Sequence, residues 1–153
     1  MFLKKEKISK TWPLLAEKKL PVDDIDRLNH KGTTPVHVEL TIPDAIAFHH
    51  MIGAERKERR LKYLKYYWTD KVKDHPDIIL NTPFEPERSC AIANVGIRGM
   101  KSSEVANTLF KDHGIWVVAI DRPGVKGCRI TPNVFTSTGE LDIFVASLLK
   151  LVS

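Results

Sequence analysis

Gly127-Cys128-Arg129-Ile130-Thr131-Pro132-Asn133-Val134-Phe135, followed by Ser137-Thr138-Gly139-Glu140-Leu141-Asp142, decides the reading of this chain. Arg129-Ile130 reads as a short apolar strand that Pro132 brings to an end. Ser137 and Glu140 stand at capping-box spacing and open a helix. That helix sets Leu141, Phe144, Val145, Leu148 and Val152 on one face, at intervals of three and four residues. An arginine between Cys128 and Ile130 costs free energy unless an anion meets it. Two anions are open to it. One is an Asp or Glu of the same chain in an ordinary salt bridge. The other is a ligand carboxylate, whose two oxygens match the planar guanidinium fork.

Upstream, Ile115–Ile120 reads as a strongly apolar strand. Gly114 is placed to cap the helix before it, which starts at Ser102 and turns Val105, Leu109 and Phe110 inward. Asp77–Asn81 and Cys90–Ile97 read as strands. The order strand, strand, helix, strand, strand, helix predicts an α/β fold: a small, mainly antiparallel sheet covered by helices on one face. Before it, Ala54–Lys73 has a helical stripe of Leu61, Leu64, Trp68 and Val72, and Asp74-His75-Pro76 stops it. A shorter helix is expected to start at Thr41, with Pro43 in its first turn and Asp44 at the capping-box position, and to run to Ile52, where Gly53 interrupts. Residues 9–35 read as an irregular connector. A stretch that long is unusual inside a compact domain and is expected to lie on another domain or subunit. Phe2–Ile8 reads as a short strand.

The 153 residues are 42% hydrophobic and 28% charged, which fits a globular domain. No apolar run approaches the roughly 20 residues that span a bilayer, and the start lacks a signal-peptide core, so cytoplasm is the expected location. The net charge is +5. Residues 55–73 supply the same excess through eight Lys or Arg against Glu55, Glu58 and Asp70, and they admit a solvated outer face or a nucleic-acid contact. Their basic side chains point several ways around a helix, and no nucleic-acid signature accompanies them, so no such partner is expected. Glycine-rich phosphate loops, zinc-protease helices, paired CxxC motifs and nucleophile elbows are all missing. The six histidines are scattered, and no metal site is assigned. Gly32-Thr33-Thr34 offers hydroxyls and backbone N–H groups suited to an anion such as phosphate.

Several segments resemble, in order, the C-terminal part of class V aminotransferase-fold enzymes that use pyridoxal phosphate (PLP), with the isopenicillin N epimerase-like members and the cysteine desulfurases nearest. Phe2-Leu3-Lys4-Lys5-Glu6-Lys7-Ile8 resembles the strand after the cofactor lysine, and Lys31-Gly32-Thr33-Thr34-Pro35 the Gly-Thr motif. Asp44-Ala45-Ile46-Ala47-Phe48-His49 with Ile52-Gly53 resembles the helix after it, and Arg60-Leu61 with Leu64 the long helix. Cys128-Arg129-Ile130-Thr131-Pro132 with Glu140-Leu141-Asp142 resembles the closing strand and helix.

The resemblance implies that residues 1–40 are a strand and connector belonging to a large domain, and 41–153 the C-terminal small domain of a PLP fold-type I enzyme. It implies an amino-acid substrate, PLP as cofactor and a homodimer. Arg129 would grip the substrate α-carboxylate. Thr33, or Thr34 if the register shifts by one, would bind the cofactor phosphate of the neighbouring subunit. The family's cofactor lysine would precede Phe2, where only Met1 stands, and its ring-binding groups belong to the large domain. No catalytic residue is therefore assigned, and this chain is not expected to turn over substrate alone. Desulfurases carry a cysteine on a loop matching Arg122-Pro123-Gly124-Val125-Lys126, which has none. Cys90 and Cys128 fall at predicted strands and are expected to be buried and inert, which favours an aminotransferase- or epimerase-like parent. A free-standing ligand-binding or interaction module of ferredoxin-like shape has the same element order and is the alternative.

Overall fold

Two-residue alternation builds the sheet. In the computed structural model, which describes residues 3–14, 20–29, 32–33 and 35–152, four strands form: β1 (Ile78–Leu80), β2 (Ala93–Ile97), β3 (Val118–Arg122) and β4 (Val125–Ile130). Their order is β1-β2-β4-β3, and every pairing is antiparallel. Ile78, Ala93, Val95, Ile97, Cys128 and Ile130 are buried on one face. Three helices cover that face: α4 (Ala54–Thr69), α5 (Ser102–His113) and α6 (Thr138–Lys150). They contribute Leu64 and Trp68, Val105 and Leu109, and Leu141, Phe144, Val145 and Leu148, while Val72 enters from the turn after α4. Each such side chain contributes about 1.5–3 kcal/mol on burial. Trp68 meets Phe144 edge-on at 5.3 Å between ring centroids. The expected architecture and element order are the ones found.

Some local features of these elements match expectation and others do not. Ser137 caps α6, with its Oγ accepting from Glu140 N–H at 3.2 Å and its N–H donating to Glu140 Oε2 at 2.7 Å. Gly114 closes α5 in the left-handed conformation. α5 starts at Ser102, as expected. The Ser102 hydroxyl donates to the Ile120 carbonyl oxygen, while Glu104 reaches back to Lys101 N–H at 3.1 Å. Phe110 is 53% exposed rather than inward, and lies edge-on to Trp116. The strand expected at Ile115–Ile120 starts at Val118, and as an edge strand it is mostly uncovered. Arg122–Lys126 is not an open loop. Arg122 pairs with Val125, and Pro123-Gly124 makes a tight hairpin turn with Gly124 at φ 85°, where proline and glycine suit the second and third positions. β2 starts at Ala93, so Cys90 lies outside it and is exposed, not buried. Lys65 also turns inward: it is 2% exposed and donates to Ser89 Oγ at 2.5 Å.

The chain divides into two compact units, residues 1–48 and 49–153. In the first, Lys5–Ile8 is a short helix, α1, where a strand was expected. Lys5-Glu6-Lys7 are good helix formers, and no β-branched alternation opposes them. The connector is organised by Arg27, whose Nη1 donates to the carbonyl oxygens of Ile8 (3.0 Å) and Thr11 (2.8 Å) at the end of α1. Arg27 lies in a 3-10 turn, Ile25–Leu28, capped by Asp24. Two further helices, α2 (Val36–Leu40) and α3 (Ile42–Ile52), follow, and Gly53 separates α3 from α4 as expected. Thr41 ends α2 rather than opening α3. Its backbone is helical and its hydroxyl donates to the Val38 carbonyl oxygen at 2.8 Å. Neither α2 nor α3 buries a residue, and Val36, Val38, Leu40, Ile42, Ile46 and Phe48 are exposed. Among the described residues no helix is long and apolar enough to cross a membrane.

Candidate functional site: the open face of the sheet

The helices occupy one face of the sheet, and Arg129 stands on the other. Its strand neighbours Cys128 and Ile130 take the core positions, so the two-residue period turns Arg129 outward, and it is exposed. The burial cost expected for an arginine in an apolar strand does not arise. The salt bridge to an Asp or Glu of this chain is not found either: among the described residues Arg129 has no hydrogen-bond or ion-pair partner. Its direct cross-strand partners are Asn94 on β2 and Val118 on β3.

Asn94 belongs to a polar group that the sequence reading missed. Asn81 Nδ2 donates to Asn94 Oδ1 at 2.6 Å and to the Lys126 carbonyl oxygen at 2.9 Å. Gly127, at φ 154°, makes room for this group. A Cβ there would come within 2.5 Å of both Asn94 Oδ1 and the Val95 carbonyl oxygen. Asn94 is therefore packed where the side chain of any other residue at 127 would stand.

The segment leaving Arg129 is fixed from behind. Arg60, on α4, donates from Nη2 to the Thr136 carbonyl oxygen at 2.9 Å and from Nε to that of Val134 at 3.4 Å. Asn133 and Thr136 close a turn between them, with Thr136 Oγ1 accepting from Asn133 N–H at 2.9 Å. Lys71 pairs with Asp142, whose carboxyl the lysine holds below the usual carboxylate range. Arg60 on α4 and Lys71 in the turn after it thus fasten the 55–73 segment to the closing one.

The two thiols differ. Cys128 is buried, donates weakly to the Ser102 carbonyl oxygen, and is pushed up to about 11 by desolvation. Cys90 lies exposed in the irregular stretch before β2. Neither is on the β3–β4 turn. In the first unit, Thr33 is exposed, follows Gly32 at φ 85°, and its hydroxyl has no partner among the described residues. Thr34 lies outside the described residues. Among the described residues no three His, Cys, Asp or Glu side chains group to hold a metal ion.

No family model matches the chain, and no curated protein matches it. Solved structures do. An apo cysteine desulfurase from Thermococcus onnurineus NA1 superposes with a TM-score of 0.78, at 20% identity, over 99% of this chain and 42% of that one. An alanine–glyoxylate aminotransferase from Nostoc sp. gives 0.64, at 18% identity, over 86% of this chain and 37% of that one. The likeness is one of fold. The chain spans about two-fifths of the length of either protein. The small antiparallel sheet with helices on one face, expected from the sequence, is thus a fold that both structures share.

Proposed function

We propose that this chain is the C-terminal part of a PLP-dependent enzyme of the class V aminotransferase fold, acting on amino acids as an aminotransferase or epimerase. Arg129 grips the substrate α-carboxylate, and Thr33 gives its hydroxyl to the cofactor phosphate of the neighbouring subunit in a homodimer. The observation that carries this reading is the exposed, unpartnered guanidinium of Arg129 on the helix-free face of a sheet whose fold is shared with two enzymes of amino-acid chemistry. A guanidinium kept free of internal carboxylates is available for a ligand's. When another domain excludes water from that pairing, the two charge-assisted hydrogen bonds gain strength.

The residues at Thr33 suit the phosphate, with a free hydroxyl beside a glycine in the left-handed region. When bound, PLP supplies the electron sink for chemistry at Cα. Arg129 fixes how the substrate lies, and so which bond to Cα is positioned to break. The exposed apolar residues of α2 and α3 support a large domain, or the second subunit, as their cover.

The test is to read the DNA upstream of the Met1 codon. An open frame of a few hundred codons, ending in a lysine codon just before that of Met1, is the expected result. In the longer protein Arg129→Ala should then raise KM for the amino acid, at a loss of about 2–5 kcal/mol in transition-state binding. Thr33→Ala should weaken PLP retention. A stop codon immediately upstream would overturn the reading and leave a free-standing binding module.

A further inference from the structure

We propose that Asn94 is the second donor of the Arg129 site, so that its carboxamide N–H group and the Arg129 guanidinium bind one carboxylate together. This rests on the reading of Arg129 given above and adds a residue to which nothing so far assigns a role.

Asn94 and Arg129 are direct partners in the β2–β4 register, both on the face opposite the core. Side chains so placed have Cβ atoms about 4.5–5.5 Å apart, close enough for both to reach one carboxylate. The hydrogen bonds around Asn94 settle which end of its amide is free. Its Oδ1 is taken by Asn81 Nδ2 at 2.6 Å, and that same nitrogen is anchored on the Lys126 carbonyl oxygen. The oxygen end is therefore committed, and the free end is the nitrogen, a pure donor. Among the described residues Asn94 Nδ2 has no acceptor. The close approach over Gly127 holds the side chain in this one position.

Among the described residues, the outward strand positions beside this pair offer no competing anion. Ile79, Gly96, Gly127, Val118 and Ile120 occupy the neighbouring outward positions, and none carries charge. A guanidinium fork uses one lone pair on each carboxylate oxygen. A lateral amide donor then meets a second lone pair on one of them, which favours a carboxylate over a monatomic anion.

The test is a titration of the ¹⁵N-labelled 153-residue chain with L-alanine, with chloride as the ionic-strength control. The Arg129 Nε–H and Asn94 Nδ2–H₂ signals should move together along one saturation curve. Asn94→Ala should weaken binding by about tenfold. The isosteric Asn94→Asp, which sets a carboxylate opposite Arg129, should abolish it with the backbone spectrum otherwise unchanged. If Arg129 responds while the Asn94 signal stays still, or if Asn94→Ala binds like the wild type, Asn94 is not part of the site and the Arg129 reading survives. If neither signal moves, the Arg129 reading fails and Asn94 with it.

Discussion

Arg60 Nη2 and the carbonyl oxygen of Thr136 lie 2.9 Å apart, and this bond ties the long helix α4 to the turn between Arg129 and α6. The same side chain also reaches the Val134 carbonyl oxygen. Arg60→Ala leaves two partly buried carbonyls without these donors. A loss of about 1–3 kcal/mol in unfolding free energy is expected, read from the urea midpoint. An unchanged midpoint would show that water replaces the guanidinium without penalty.

Gly127→Ala places a methyl group 2.5 Å from the Asn94 Oδ1 and Val95 carbonyl oxygens, in a backbone conformation that alanine disfavours. One contact atom is main chain, so it cannot turn aside. The substitution should destabilise the domain by about 2 kcal/mol or more, and should shift the Asn81 and Asn94 amide signals. A variant as stable as the wild type, with those signals in place, would contradict the close approach.

How much of this was legible beforehand follows from range. The α6 capping box and the left-handed Gly114 depend on residues within one turn, and both could be read directly. Thr41 shows the limit of local rules: a threonine before Ile-Pro-Asp satisfies a capping pattern, but the helix Val36–Leu40 runs into it and takes its hydroxyl. The Phe2–Ile8 segment was too short for periodicity to separate strand from helix. The outward direction of Arg129 was implicit in its buried neighbours. Its meeting with Asn94 was not, because the register of β2 on β4 is decided by the whole core. The role of Gly127 follows from that register and was hidden with it.

Glu140 gives a pH test. Hydrogen bonds from the Ser137 N–H, and then from its hydroxyl, hold the Glu140 carboxyl below the usual carboxylate range. A carboxyl depressed in the folded state adds stability that is complete above its ordinary pKa and is lost as pH falls through the depressed value. Glutamine keeps a cap acceptor but does not titrate. The stability difference between wild type and Glu140→Gln should therefore be largest near neutral pH and shrink on acidification. A difference independent of pH would rule out the charged cap.

The two thiols should separate cleanly under iodoacetamide. Cys90 is exposed, whereas Cys128 is buried and its thiol is pushed up to about 11. That rise of about two units alone lowers the thiolate fraction roughly a hundredfold near neutral pH. Mass spectrometry of the native protein should show alkylation at Cys90 only, with Cys128 joining after unfolding in urea. Equal rates in the native state would mean that the sheet opens readily at β4.

The strand order β1-β2-β4-β3 makes the sheet from two neighbours-in-sequence pairs, β1 with β2 and β3 with β4, joined along a single seam between β2 and β4. Contacts between strands close in sequence form at a small loop-closure cost, and the distant pairing follows them. Asn94 and Arg129 face each other across that seam. The candidate ligand site therefore comes into being with the last joining of the sheet. The β1–β2 half can orient Asn94 through Asn81, but it lacks Arg129, so a chain caught at the two-hairpin stage would hold most of its strand pairing and still have nowhere to bind.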